Sequence, residues 1–197
     1  MNLPNKLTVF RIILVPIMIF VWLFPYEQFN FMFYEFNFGP VSLSLLNIVV
    51  LVIFALASIT DMLDGMIARK YNMITTFGKF ADPIADKLLV NTTLIIMASK
   101  HLIPVLPVVI MLGRDIIVDG CRMIASKNGV VIAAGYLGKL KTVSQMIAII
   151  LVLLNNLPFE LYGIPMASIV LWFATLTSVM GGYSYFIQLK DYIFESK

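Results

Sequence analysis

The residues best equipped for chemistry lie between Asp61 and Asp86, in the stretch DMLDGMIARKYNMITTFGKFADPIAD. Asp61 and Asp64 are spaced i, i+3, and Asp82 and Asp86 are spaced i, i+4. On a helix either spacing puts both carboxylates on one face. Two helix ends joined by a short loop can therefore converge four carboxylates on one point. Apolar runs flank the stretch on both sides, and an unpaired aspartate at the centre of a membrane helix costs roughly 2.5–3.5 kcal/mol. Four would cost on the order of 10 kcal/mol, comparable to a typical folding stability. They must lie at the membrane interface, in a wet cavity, or against cations. Two divalent ions would balance all four charges, and such ions, about 3.5–4 Å apart, clamp the attacking and leaving oxygens of a phosphoryl displacement. Gly65 and Ala68 would let a ligand approach the helix backbone closely, and Arg69 adds a fixed cation suited to phosphate.

Blander readings exist for parts of this stretch. Asp82-Pro83 alone is a good helix start, an N-cap followed by proline at the first helical position. Asp61 and Asp64 alone could be a solvated helix end. An EF-hand is excluded, because its loop needs acids at alternate positions before the glycine. Taken together, the four aspartates with Gly65 and Arg69 between them point to a metal site for phosphate chemistry. The chain has one cysteine, Cys121, and one histidine, His101. An internal disulfide, a cysteine-based zinc cluster and a histidine-rich site are all ruled out. A metal here would take oxygen ligands, which selects Mg²⁺, Mn²⁺ or Ca²⁺.

The elements that must position these residues are membrane helices. Of 197 residues, 60% are hydrophobic and 13% charged, against about 25% charged in a soluble domain. The sequence predicts an all-α, polytopic membrane protein with six transmembrane helices in a single domain, residues 1–197. The first span covers Val9 to Phe24, with Pro16 as a kink and an interfacial helix possible before it. Its basic start resembles a signal peptide, but no small-residue cleavage site follows, so it is read as a retained span. Residues 25–42 suit an aromatic interfacial loop. The second span runs from about Leu43 to Ile59 and continues into Asp61 and Asp64; the third begins near Pro83 and ends near Ile103. The fourth starts at Pro104 and Pro107 and carries Arg114, Asp115 and Asp119. Residues 125–139, including Lys127, Gly129, Gly135 and Gly138, are read as a loop. The fifth span covers about Leu140 to Leu154 and the sixth about Met166 to Leu189. Cytoplasmic loops of membrane proteins collect Lys and Arg. With both termini cytoplasmic, that side holds every basic residue except Lys100, 13 of 14. The aspartate segment then faces the cytoplasm.

The pattern D-x2-D-G-x2-A-R-x8-G-x3-D-x3-D, filled here by Asp61, Asp64, Gly65, Ala68, Arg69, Gly78, Asp82 and Asp86, resembles the signature of the CDP-alcohol phosphatidyltransferases. The resemblance extends to that family's six-span organisation and so covers essentially the whole chain. It implies a metal-dependent transferase that moves a phosphatidyl or similar group from a CDP-linked donor to an alcohol and releases CMP. It further implies two Mg²⁺ or Mn²⁺ ions on Asp61, Asp64 and Asp82, with Asp86 as a metal ligand, the general base, or both. Gly65, Ala68 and Gly78 would line the nucleotide site, with Arg69 near the phosphates.

That signature does not choose the acceptor. Arg114, Arg122, Lys139 and Lys141 fall at the cytoplasmic ends of spans four and five and would suit an anionic acceptor, although ordinary positive-inside anchoring accounts for such residues too. The start NLPNKLTVFRIILVPI and the segment GYLGKLKTVSQM resemble the bacterial phosphatidylglycerophosphate synthase branch of the family. This implies CDP-diacylglycerol and glycerol 3-phosphate as substrates, a bacterial plasma membrane location, and Asn5, Thr8 and Arg11 helping to close the site from the first helix. Family members with other acceptors (cardiolipin, phosphatidylserine or phosphatidylinositol-phosphate type synthases) are the nearest alternatives. An intramembrane prenyltransferase would separate its aspartate motifs more widely, and a divalent-cation transporter would want acids on spans five and six as well. His101 and Cys121 read as loop and packing residues. Ala174, Ser178 and Gly182 form a small-residue face on span six, suited to internal packing or to a homodimer.

Overall fold

The computed structural model describes residues 1–71, 73, 75–127 and 135–193, with the side chains of Lys79, Lys127, Leu189 and residues 191–193 outside that description. The middle of the predicted 125–139 loop, including Gly129, and the tail with Lys197 lie outside the described residues. Six long helices dominate: α1 (Leu3–Leu23), α2 (Leu45–Lys70), α3 (Thr76–Ser99), α4 (Val105–Lys127), α5 (Tyr136–Leu153) and α6 (Met166–Ile193). Between α1 and α2 lies an antiparallel hairpin of β1 (Glu35–Phe38) and β2 (Val41–Ser44), in a register that pairs Glu35 with Ser44 and Phe38 with Val41. The chain divides into two compact units, Met1–Ile96 with Leu153–Ile164, and Met97–Val152 with Pro165–Lys197.

In the first unit, α1 packs against α2. Three polar caps fix the helix starts that matter for the site. The Asn2 side chain accepts from the Asn5 amide at 3.2 Å, ahead of Pro4, a position where proline costs no hydrogen bond. Ser44 caps α2 through the Leu46 amide at 3.3 Å, and Thr75 accepts from the Gly78 amide at 3.0 Å to cap α3. Met18, Trp22, Val50, Phe54, Ala57, Ala85 and Leu89 make the buried core. In the second unit α4 packs against α6. Ala174 and Ser178 are fully buried on α6, and a Cβ added to Gly182 would lie 2.8 Å from Arg114 Cγ. The small-residue face of α6 is thus used for packing within the unit, where bare backbone admits the Arg114 side chain.

Four expectations from sequence need correction. No separate interfacial helix precedes the first span, because the Asn2 cap starts α1 at Leu3 and it continues unbroken to Leu23. The aromatic loop contains a hairpin, closed by Gly39 at φ +62° and Pro40, with the positive φ that a II′ hairpin turn asks of its first central residue. Asp82-Pro83 does not start a helix: the Thr75 cap starts α3 seven residues earlier and Pro83 lies inside it. The fifth helix begins at Tyr136, so Gly138 and Lys139 are helical and not in a loop. The expected count of long helices is met, but among the described residues only α1, α2, α5 and Met166–Gln188 of α6 are long and apolar enough to cross a bilayer. Helix α3 carries Asp82, Asp86 and Lys87, and α4 carries Arg114, Asp115, Asp119 and Arg122.

Candidate functional site

The first unit gathers the aspartate segment around the start of α1. Arg11, on α1, has no exposed surface. Its Nη1 lies 2.5 Å from Asp61 Oδ1 and its Nη2 lies 2.5 Å from Asp64 Oδ2, both carboxylates coming from α2. Thr8, one turn earlier on α1, stands 2.7 Å from Asp82 Oδ1 on α3 and 3.4 Å from Asp64 Oδ2. The hydroxyl has one proton, and Asp82 is its nearer acceptor. Asp64 is buried and Asp61 about one-third exposed. Three carboxylates from two helices therefore meet at one buried guanidinium and one hydroxyl, and Asp64 feels the charges of both Asp61 and Asp82. Asp86 lies one turn beyond Asp82 and is half-buried.

Beside this cluster is a pocket of about 190 Å³ lined by Pro4, Asn5, Gly65, Ala68, Arg69, Met73, Thr75, Gly78 and Asp82. Its size suits a polar head group and not a pair of acyl chains. The four residues expected at a nucleotide site, Gly65, Ala68, Arg69 and Gly78, all line it. Gly78 is small for a steric reason. A Cβ there would lie 3.3 Å from both Asn5 Oδ1 and Thr75 Oγ1, and 3.6 Å from Asp82 Oδ2. Asn5 accepts from the Thr75 hydroxyl at 2.9 Å, and the Asn2 amide donates to the Met73 carbonyl at 2.9 Å. These bonds tie the start of α1 to the segment between α2 and α3. Thr75 was not singled out in the sequence; the preference for threonine as an N-cap residue is the signal that could have found it.

Whether a divalent cation suits this cluster can be judged from its donors and charge. All the donors are carboxylate or hydroxyl oxygens, the hard ligands that Mg²⁺ and Mn²⁺ prefer. Asp61, Asp64 and Asp82 carry three negative charges against the one positive charge of Arg11, an excess of two. The residues fit a dication. In the arrangement described, Arg11 takes the two α2 carboxylates on separate nitrogens, and among the described residues no three Asp, Glu, His or Cys side chains form a metal-ligating group.

The second unit holds the four basic residues expected to suit an anionic acceptor, Arg114, Arg122, Lys139 and Lys141. Lys141 lies 2.5 Å from both oxygens of Asp115, and Arg114 Nη1 lies 3.0 Å from Asp115 Oδ1. Arg114 Nε also donates to the Ser178 carbonyl at 3.0 Å. Arg122 donates to the Tyr185 hydroxyl at 2.7 Å and its guanidinium sits 4.8 Å from that ring, with Arg114 at 5.8 Å from the same ring. Arg114, Arg122 and Lys141 thus share one network with Asp115 and Tyr185. Lys139 does not join them: it is exposed, two residues from buried Lys141 on α5, a spacing that turns the two side chains to opposite faces. Asp115 and Tyr185 are the residues here that sequence reasoning missed. The adjacency of Asp115 to Arg114 was a signal; nothing in the sequence marked Tyr185.

Comparison with known proteins follows the same line. Residues 1–180 match the model of a family described as CDP-alcohol phosphatidyltransferase. The CDP-diacylglycerol–glycerol-3-phosphate 3-phosphatidyltransferase of Bacillus subtilis (strain 168) is 42% identical over 185 residues, covering 94% of this chain and 93% of that protein. Its namesake from Rickettsia typhi (strain ATCC VR-144 / Wilmington) is 39% identical over 192 residues, covering 97% and 98%. A shorter match, 40% identical over 153 residues, joins 76% of this chain to 63% of the Mycoplasma genitalium protein of the same name.

Proposed function

The chain belongs to the CDP-alcohol phosphatidyltransferase family, and from that premise we propose that it transfers the phosphatidyl group of CDP-diacylglycerol to glycerol 3-phosphate, giving phosphatidylglycerophosphate and CMP. The observation that carries the reading is the meeting of Asp61, Asp64 and Asp82 beside the pocket lined by Gly65, Ala68, Arg69 and Gly78. The choice of acceptor is supported by relatives of that name that match nearly the full length of the chain.

The pocket receives the nucleotide head group. Gly65 and Gly78 keep side chains out of it, and Arg69 pairs with the diphosphate. Two divalent cations, Mg²⁺ or Mn²⁺, held by Asp61, Asp64, Asp82 and Asp86, would neutralise the diphosphate oxygens and the charge that builds up on departing CMP. Thr8 and Asn5 orient Asp82 and the α3 cap. Within the second unit, Arg114, Arg122 and Lys141 form a cationic group suited to an anionic acceptor's phosphate, and Asp115 keeps two of these cations in place. Asp86 removes the proton from the acceptor's primary hydroxyl. That oxygen attacks the phosphorus bearing diacylglycerol, a new P–O bond forms, and the P–O bond to CMP breaks. Positioning and charge neutralisation supply most of the rate in such transfers.

The protein lies in the bacterial plasma membrane with six spans, both termini and the aspartate segment cytoplasmic. The support is the distribution of basic residues, which leaves Lys100 alone on the other side. One experiment tests acceptor and orientation together: CMP release in sealed vesicles, inside-out or right-side-out, supplied with glycerol 3-phosphate, serine or inositol phosphate. The expected result is release with glycerol 3-phosphate and only from inside-out vesicles, since the phosphate does not cross the bilayer. Release with another acceptor alone would overturn the substrate assignment, and release from sealed right-side-out vesicles would overturn the orientation.

A further inference from the structure

The cation expected at the aspartates already has a stand-in within the chain. Arg11 Nη1 and Nη2 contact one oxygen of Asp61 and one of Asp64, each at 2.5 Å, and these two carboxylates are among those assigned to metal. A carboxylate oxygen that binds Mg²⁺ does so at about 2.0–2.1 Å. A metal on these oxygens would leave a dication and a guanidinium a few ångströms apart. Arginine cannot relieve that repulsion by losing a proton. The guanidinium and the metal therefore compete for the charge of the same carboxylates.

Among the described residues the Nε of Arg11, fully buried, has no hydrogen-bond acceptor, so the charge of the two aspartates, and not a full set of directed bonds, holds the guanidinium where it is. Without it, Asp61, Asp64 and Asp82 would face one another as three uncompensated negative charges. With it, the excess falls to two.

We propose that Arg11 is a resident counter-ion: it neutralises part of the charge of Asp61 and Asp64 and so opposes a divalent cation on the same carboxylates. It thereby stabilises the metal-free protein and lowers its affinity for metal. Arg11 is a positioning residue, acting on the reaction only through the aspartates. The inference rests on the reading of Asp61, Asp64 and Asp82 as metal ligands, and its test separates the two.

The test is Mn²⁺ binding to the full-length protein in detergent, followed by electron paramagnetic resonance, with thermal melting of the same samples. The proteins are the wild type, Arg11→Gln, Arg11→Lys and Asp82→Asn. Arg11→Gln is expected to melt lower without metal, to bind Mn²⁺ about tenfold more tightly, within the usual range for coupled sites, and to gain more in melting temperature on saturation than the wild type. Arg11→Lys keeps a charge but loses the fork that reaches two carboxylates at once, so its affinity should rise severalfold; it carries the test if Arg11→Gln does not fold. Unchanged or weaker Mn²⁺ binding by these variants, beside wild-type binding that Asp82→Asn abolishes, overturns the counter-ion role alone. Absence of wild-type binding, or binding that survives Asp82→Asn, overturns the metal reading and the inference with it.

Discussion

Asp115 shows how a single residue can matter without touching substrate. It is buried, and it binds both Lys141 and Arg114. Removing one partner of a buried ion pair typically costs about 3–5 kcal/mol, because the remaining charge loses its compensation in a poorly solvated place. Asp115→Ala should therefore destabilise the protein by about that much, and adding Lys141→Met should recover a large part of the loss. Thermal or denaturant unfolding in detergent of the single and double variants measures both; a double variant no more stable than Asp115→Ala would contradict the pairing. At this scale the aspartates were legible because their spacing is local, three and four residues on a helix. Arg11 was read only as a helper of the site, since its partners lie 50 and 53 residues further along the chain and a sequence does not display such contacts. Lys139 and Lys141 looked equivalent as two nearby cations until the helix over both sent them to different faces.

The helices themselves were legible wherever apolar runs dominate, and their ends were not. Asp82-Pro83 has the composition of a helix start, but the Thr75 hydroxyl on the Gly78 amide begins α3 earlier and carries the helix through Pro83. Proline there forgoes one backbone hydrogen bond, a loss that membrane helices tolerate when neighbouring groups compensate. The hairpin before α2 was hidden because four-residue strands are too short to show a period, and Gly39-Pro40 is a less common hairpin turn than Asn-Gly. The small-residue face of α6 was legible as a contact surface, and its partner proved to be α4. Gly182 makes that contact sterically strict, since an added Cβ would meet Arg114 Cγ at 2.8 Å and Arg114 Nε at 3.4 Å. Gly182→Ala is expected to cost about 1–3 kcal/mol through overpacking and to raise the KM for glycerol 3-phosphate more than that for CDP-diacylglycerol, because it is Arg114 that must move. Equal KM values to wild type for both substrates would show that Arg114 does not hold the acceptor.

For the molecule as a whole, composition alone identified a helical membrane protein, and charge placement is what distinguishes its helices. Among the described residues four are long and apolar enough to span by composition. Of the other two long helices, α3 carries Asp82, Asp86 and Lys87 and α4 carries Arg114, Asp115, Asp119 and Arg122, so residues assigned to the reaction are among the polar groups that keep them out of that apolar set. Ionisable groups in a membrane protein are retained where a cavity, a partner or a substrate compensates them, and both clusters have such compensation: Arg11 and Thr8 in one unit, Asp115 and Tyr185 in the other. The family was legible from eight residues between Asp61 and Asp86, whereas the geometry that ties α1 to them was not. The central claim, that this segment is a metal site for phosphatidyl transfer, is tested most directly by CMP release from CDP-diacylglycerol and glycerol 3-phosphate before and after chelation of divalent cations. The account predicts that release falls to the level without enzyme on chelation and returns when Mg²⁺ or Mn²⁺ is restored, in the wild type but not in Asp82→Asn. Undiminished release from the chelated protein would contradict it.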